Sequence, residues 1–233
     1  MNLLRFLWIA LPLSATVFLV FLYAVRKDEE SVGSNQCIAC LSGLVSLIHH
    51  YHEKYGHFPP AYMPDKQGKP MHSWRILMLE TTHPTLLKQY NFDEPWNGPN
   101  NRKLADKMPG YFRCPNARSP RTNTSYVLLV GPDTAFPGSK ATTRKDRKRK
   151  ASETILLVEA ENLNVHWMEP RDWDVQALGF AVSDPDRPSL SSHDPQGPAV
   201  CFVDGSVMRL PRTFSKEQLE EMSRIRQKGN GEE

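Results

Sequence analysis

The most informative pattern of the chain is Cys37-Ile-Ala-Cys-Leu-Ser-Gly-Leu-Val-Ser-Leu-Ile-His-His-Tyr-His-Glu-Lys-Tyr55, in which the apolar residues recur at three- and four-residue steps. This spacing places them along one stripe of an α-helix. Gly56 follows, and Pro59 and Pro60 cannot continue a helix, so we predict that the helix ends near Tyr55. The stripe needs an apolar surface to pack against, which the rest of the chain must supply.

Short apolar runs later in the chain predict that surface as a β-sheet. Tyr126–Val130 and Ile155–Val158 are bounded by turn residues and are typical of buried strands. Between residues 199 and 210, two strand-like runs flank Asp204-Gly205, a pair that tolerates the positive φ angles of a type I′ hairpin turn. We therefore predict a C-terminal β-hairpin.

A final helix is predicted to begin at Ser215, where Gln218 stands at the position that completes a capping box.

The predicted order of elements, a helix followed by a sheet and then a second helix, is that of an α+β fold. We predict an N-terminal transmembrane helix that continues into the long amphipathic helix. That helix packs on a mainly antiparallel β-sheet, as in pilin-like subunits, and the hairpin and last helix follow.

The predicted transmembrane segment runs from Phe6 to Val25, 20 uncharged and almost wholly apolar residues. At ~1.5 Å per residue such a helix spans the ~30 Å hydrocarbon core of a bilayer. A cleaved signal peptide is the alternative, but its apolar core is usually only ~7–15 residues long. We predict a membrane anchor and its flank over residues 1–30, a single soluble domain over residues 31–227 and a disordered tail over residues 228–233.

The orientation of that anchor is harder to predict, because positive charge on its two sides nearly balances. Arg5 precedes the apolar run, and Arg26 and Lys27 follow it. The short N-terminal stub and the acidic residues 28–30 favour a single-pass protein whose C-terminal domain lies outside the cytoplasm.

Composition restricts the function classes only slightly. Of the 233 residues, 24% are charged and 39% hydrophobic, and the net charge of +3 implies no particular partner. Residues 140–150 hold seven basic residues and one acid, a tract that on its own indicates nucleic-acid binding. The predicted anchor argues against nucleic acid, so we interpret the tract as a solvated loop that could touch anionic lipid or wall polymer.

The four cysteines are too few for a disulfide-stapled scaffold. Cys37 and Cys40 form a Cys-x-x-Cys, which could be redox-active or half of a zinc site, but Cys114 and Cys201 are single and far apart. We favour two cysteines on the buried stripe of the helix, since free cysteine behaves as a small hydrophobe. One disulfide among the four is compatible with an extracytoplasmic domain, and its pairing stays open.

Histidines of the predicted helix are the best metal candidate. His49 lies one helical turn from His52 and Glu53, with His50 and His57 close by in sequence. Because the chain lacks a His-Glu-x-x-His order, a solvated helix face explains these residues better than a metal site.

Two further groups are candidate binding or structural residues. His193 could meet Asp204 beside Gly205, where a histidine bonded to a turn carboxylate is the structural interpretation. Three tryptophans among prolines and acids could line a carbohydrate or peptide groove, or simply cover the sheet: Trp96, Trp167 and Trp173. A catalytic serine lacks a Gly-x-Ser-x-Gly context, and Cys201 lies in a predicted buried strand where it would be inert.

Short motifs follow one another through the chain in a characteristic order. They include His49-His50-Tyr51-His52, Phe58-Pro59-Pro60, Ser73-Trp74-Arg75, Glu94-Pro95-Trp96-Asn97, Tyr111-Phe112-Arg113-Cys114-Pro115 and Thr134-Ala135-Phe136-Pro137-Gly138. In these motifs the chain resembles the planctomycete-type, bacterial domain-of-unknown-function 1559 family, with Cys37 at the family's cysteine position. The resemblance implies a pseudopilin-like domain with a prepilin-type N-terminal segment and a C-terminal His-x9-Asp-Gly signature.

The chain departs from that pattern at two places. Ten residues separate His193 from Asp204, one more than in the signature. The N-terminus also lacks the family's Gly-Phe-Thr-Leu-x-Glu processing site. We therefore expect a permanent anchor on a pilin-related domain.

These observations lead to one expected function and two alternatives. We expect a non-enzymatic, membrane-anchored, extracytoplasmic pseudopilin-like protein without a cofactor. Its partners would be the lipid bilayer and proteins of the envelope or of a type II secretion-like, pilin-like assembly, contacted by the helix face around Leu44 and Ile48. The family also carries a solute-binding label, so a surface module that binds a sugar, peptide or metal is the alternative, and a metal-dependent hydrolase is a third class.

Overall fold

The structure is a computed structural model that describes residues 34–184 and 186–225. The predicted anchor from Phe6 to Val25 and the predicted tail over residues 228–233 lie outside these described residues. Among the helices of the described part, none has the length and apolar character needed to cross a bilayer.

The amphipathic helix, α1, covers residues 34–55 in the described part. Its stripe is buried as predicted, with Leu41, Leu44 and Ile48 at 0% exposure. Gly56 ends the helix with a φ of 78°, and its N–H donates to the His52 carbonyl at 2.8 Å.

Short strands, helices and 3-10 turns make up the rest of the fold. The strands are β1 (Tyr62–Pro64), β2 (Pro70–Ser73), β3 (Asn123–Thr124), β4 (Tyr126–Val130), β5 (Ile155–Glu159), β6 (Val165–His166), β7 (Trp173–Asp174), β8 (Ala199–Phe202) and β9 (Val207–Arg209). The further helices are α2 (Trp74–Thr82), α3 (Pro84–Leu87), α4 (Val175–Leu178) and α5 (Lys216–Ser223). The 3-10 segments are Asn101–Lys107, Gly110–Phe112, Arg144–Asp146, Ala151–Glu153 and Glu161–Leu163.

The central sheet has five strands in the order β7-β4-β5-β8-β9. β4, β5, β8 and β9 pair antiparallel, whereas β7 lies parallel to β4. Two antiparallel pairs, β1 with β2 and β3 with β6, flank it. The α+β class and the mainly antiparallel sheet are therefore confirmed, with one parallel edge that the sequence pattern did not indicate.

Each face of the sheet is covered by a different part of the chain. Tyr126 and Leu128 belong to the same buried cluster as the α1 stripe, whereas the alternate residues Val127 and Leu129 belong to a second cluster with Leu219 of α5. The sheet is thus the middle layer between α1 and the C-terminal segment.

The C-terminal hairpin forms, but its turn differs from the prediction. The Gly205 N–H donates to the Phe202 carbonyl at 2.9 Å, and the Phe202 N–H donates to the Ser206 carbonyl at 2.9 Å. A type I′ turn needs two residues with positive φ, and here Gly205 alone, at 90°, is left-handed while Asp204 is not. The loop therefore has three residues and ends in a left-handed glycine.

The Ser-Trp-Arg motif connects α2 to the sheet. Ser73 caps α2 by accepting the Arg75 N–H, and the buried Arg75 guanidinium pairs with Asp172 at 2.7 Å. Asp172 Oδ1 also accepts the Trp74 indole N–H at 3.1 Å and the Leu128 N–H at 2.9 Å. The motif is therefore explained by packing and hydrogen bonding.

The last helix begins where its cap was predicted. Ser215 is the N-cap of α5 and accepts the Gln218 N–H at 3.4 Å. The Ser215 hydroxyl also donates to the Glu217 carboxylate at 2.7 Å. The cap is therefore confirmed through the Gln218 N–H, without the reciprocal bond of a capping box from the Gln218 side chain.

Candidate functional site

His193 contacts a buried carboxylate. Its Nδ1 lies within a short hydrogen bond of Glu161 Oε2, and the Glu161 side chain is 6% exposed. Because the ring presents Nδ1 to this carboxylate, Nε2 is aimed away from it. The imidazole is therefore held in one orientation, with Nε2 on the side of the ring away from Glu161.

Two backbone groups hold the same carboxylate from the other side. Glu161 Oε1 accepts the Ser119 N–H at 2.8 Å and, at a short distance, the Arg118 N–H. Arg113 fixes this loop, since its guanidinium donates to the Ala117 carbonyl at 2.6 Å and to the Ser119 hydroxyl at 2.9 Å. Glu161 thus joins the loop over residues 114–120 to the segment that carries His193.

A pocket of about 290 Å³ lies beside this pair. Its wall includes Arg118, Asn162, Asn164 and Ser191 besides the His193 ring. Asn162 Oδ1 accepts the Ser191 hydroxyl at 2.8 Å and the Ser189 N–H at 3.1 Å. The wall is therefore a rigid polar network.

Asp204 and Gly205 lie in the hairpin turn and have a local role. Asp204 Oδ1 accepts both the N–H and the hydroxyl of Ser206, at 2.9 and 2.6 Å, and these bonds lower the pKa of its carboxyl. His193 and Asp204 each have another partner, so they do not form the pair that we expected. The residue next to His193, Asp194, pairs with Arg209 at 2.9 Å.

The tryptophans do not form one groove. Trp167 is 0% exposed and donates its indole N–H to the Ala105 carbonyl at 2.9 Å, so it packs inside and lines no surface. Trp173 is also buried, on the other face of the sheet. Trp96 is half-buried and lies against the His166 ring at 5.1 Å. For Trp167 and Trp173 the packing alternative is therefore correct.

The α1 histidines are not arranged as a metal site. In the described residues, the one set of three His, Cys, Asp or Glu ligand atoms close enough for an ion is Cys37, Cys114 and Glu159. His52 instead packs on the Phe58 ring at 4.7 Å, and burial lowers its pKa, followed in effect by the charge of Arg144.

The structure settles the cysteine pairing. Cys37 forms a disulfide with Cys114, and their Cα atoms are 4.8 Å apart. Cys40 is free and half-buried, so the Cys-x-x-Cys is neither a redox pair nor half of a zinc site. Cys201 is free and buried in β8, where burial raises the pKa of its thiol to about 12, in agreement with an inert side chain.

The basic tract over residues 140–150 is an ordered loop. The N–H groups of Lys148 and Arg149 donate to the Ile225 carbonyl, at 2.8 and 3.0 Å. The Arg149 guanidinium also contacts Glu221 at a short distance. Part of the tract therefore has a structural role, because it binds the C-terminal end of α5 and the residues after it.

Sequence reasoning identified His193 and missed Glu161 and Arg118. The available signal was Glu159-Ala160-Glu161, two carboxyl groups directly at the end of a predicted buried strand. Acids at such a position need hydrogen-bond or charge partners inside the fold, since burying an unpaired charge is costly. Arg118, in a proline-rich loop, carried no signal.

Comparison with known proteins identifies the family. A sequence model described as "Protein of unknown function (DUF1559)" matches residues 34–156, more than half of the chain. The match includes both disulfide cysteines and Arg118, and it ends before Glu161 and His193. No curated protein and no solved structure matches the chain. The chain belongs to the family of proteins of unknown function DUF1559.

Proposed function

We propose that this protein is a membrane-anchored, extracytoplasmic, pseudopilin-like protein that acts without catalysis, through protein contacts in an envelope or secretion-related assembly. The observation that carries the proposal is α1, a long helix that packs on a mainly antiparallel sheet and is joined by the Cys37–Cys114 disulfide to the loop over residues 114–120. In sequence it follows the apolar run from Phe6 to Val25. Disulfides persist in oxidising compartments, which supports an extracytoplasmic location.

The surface for partners must differ from the one that we first expected. Leu44 and Ile48 are 0% exposed because they pack into the protein's own core. The opposite face of α1 is exposed at Ala39, Gly43 and Ser46, as well as at His50 and Glu53. We therefore place the partner contacts on this exposed face.

Site-specific photo-crosslinking in native membranes tests the proposal. A photoreactive residue at Ser46 should give discrete higher-mass adducts, whereas the same residue at the exposed Lys66, in the turn between β1 and β2, should not. Ser46 adducts no stronger than those of Lys66, together with a strictly monomeric protein, would contradict it. Protease accessibility in intact cells checks independently that the domain lies outside the cytoplasm.

A second candidate function, a surface module that binds a small ligand, is favoured by the pocket beside His193. Its wall is ordered by hydrogen bonds, and His193 Nε2 has no hydrogen-bond partner in the described part of the chain, features that packing alone does not require.

A further inference from the structure

One buried carboxylate holds the ring of His193 and the backbone of Arg118 at the pocket wall. Glu161 accepts the Arg118 N–H with one oxygen and contacts His193 Nδ1 with the other. Both residues are therefore held by the same side chain, and its charge is satisfied by three donors, including the Ser119 N–H.

The remaining polar side chains of the pocket wall have partners within the protein. Ser192 donates its hydroxyl to Glu159 at 2.9 Å, and the Asn164 amide donates to the Asn162 carbonyl at 3.1 Å. Within residues 34–184 and 186–225, the Arg118 guanidinium and His193 Nε2 have no such partner. These two groups are what the pocket offers to a ligand.

The charge of the described pocket wall suits an anion. Glu161 is the one acidic residue lining it, and it is only 5% exposed. Arg118 is exposed and its planar guanidinium matches a carboxylate with two parallel hydrogen bonds. A histidine nitrogen on the same pocket wall can bond a hydroxyl group.

The size of the pocket limits the ligand. At about 290 Å³, it lies at the small end of the ~300–1,000 Å³ range of ligand sites. One sugar ring fits this space better than an oligomer or a bare ion.

We propose that the pocket binds a sugar acid, with the Arg118 guanidinium on the ligand carboxylate and His193 Nε2 on a ring hydroxyl. The inference rests on the second candidate function and gives it a ligand class. It is independent of the partner face on α1.

Calorimetric titration of the purified full chain tests the inference with three probes: D-glucuronate, D-glucose and inorganic phosphate. Glucuronate should bind with 1:1 stoichiometry and at least about tenfold more tightly than either other probe, since only it offers both groups. Arg118→Gln should weaken glucuronate binding at least about tenfold and His193→Gln about threefold to tenfold.

Matched controls are Arg212→Gln and His50→Gln, at exposed positions outside the pocket, and both should bind like the wild type. Thermal melting of each variant shows whether it is folded. Glucuronate binding that survives Arg118→Gln, or equal binding of glucose or phosphate, would overturn the sugar-acid inference and leave a ligand-binding function. No heat from any of the three probes would also overturn the sugar-acid inference, while the partner face on α1 keeps its own crosslinking test.

Discussion

At the scale of one residue, Glu159 shows how burial changes the pKa of a carboxyl group. It is 1% exposed, accepts the Ala199 N–H at 3.0 Å and the Ser192 hydroxyl at 2.9 Å, and lies 3.6 Å from Arg209. Burial nevertheless raises the pKa of Glu159 to about 7, because desolvation of the charge outweighs these contacts.

We predict that Glu159→Gln alters the pH dependence of stability. The pKa of Glu159 is raised from 4.5 in the unfolded chain to about 7 in the folded one. Its contribution to stability is therefore complete below pH 4.5 and lost as the pH rises through 7. Relative to the variant, the wild type should lose on the order of 3 kcal/mol of unfolding free energy over this interval.

Urea denaturation at a series of pH values from 4 to about 8 measures this difference. Glu53→Gln, at an exposed position of α1, is the control and should follow the wild-type profile. Parallel profiles for the wild type and Glu159→Gln would show that Glu159 keeps an ordinary pKa.

At the scale of elements, the Cys37–Cys114 disulfide joins α1 to the loop that carries Arg118. The two cysteines are 77 residues apart, so the bond closes a long loop of the unfolded chain. We predict that Cys114→Ser lowers the free energy of unfolding by about 2–5 kcal/mol. Cys40→Ser, at a free half-buried cysteine, should cost less.

Thiol titration provides a second measurement for the disulfide. Without reductant, the denatured wild type should titrate two thiols, from Cys40 and Cys201. Four titratable thiols in protein prepared without reductant would contradict the pairing.

Two glycines near the C-terminal hairpin have positive φ angles, and only one of them also lacks room for a side chain. Alanine substitutions at the two positions therefore distinguish backbone strain from steric clash. Gly205 has a φ of 90° and open space where a Cβ would stand, so Gly205→Ala should cost only about 1–2 kcal/mol. Gly197 has a φ of 94°, and a Cβ there would overlap the Leu210 carbonyl oxygen. Gly197→Ala should therefore cost more than about 3 kcal/mol. Thermal unfolding of both variants compares them, and equal losses would contradict the clash.

At the scale of the whole molecule, one sheet is shared by two apolar layers. Leu44 of α1 packs in one layer and Leu219 of α5 in the other, each at 0% exposure. Because both layers pack on the same strands, we expect them to unfold together.

We predict that Leu44→Ala and Leu219→Ala each cost about 2–5 kcal/mol, as expected for buried leucines. Since the sheet separates the two sites, the double variant should cost the sum to within about 0.5 kcal/mol. Urea unfolding followed by far-UV circular dichroism and by tryptophan fluorescence should give one coincident transition. Two separate transitions would show that the layers unfold independently.

Local patterns were sufficient for most elements. The three- and four-residue spacing of apolar residues predicted α1, Gly56 predicted its end, and Ser215 predicted the start of α5. Each depends on neighbours within a few residues, where helix periodicity and capping act. The hairpin was predicted correctly, whereas the predicted type I′ turn was wrong, because the same Asp-Gly pair fits both two- and three-residue loops.

Contacts between distant residues required the tertiary structure. Cys37 and Cys114 are 77 residues apart and Glu161 and His193 are 32 apart, so nothing in their local sequence shows that they meet. Trp167 has His166 and Glu169 close by in sequence and yet is fully buried.

The α+β class, the helix that packs on the sheet and the family were all predictable from local sequence patterns. The disulfide, the partner of His193 and the exposed face of α1 were visible only in the folded structure. The physical reason is range: helix periodicity, capping and turn propensity act over a few residues, whereas hydrogen bonds and burial depend on which parts of the chain the folded sheet brings together.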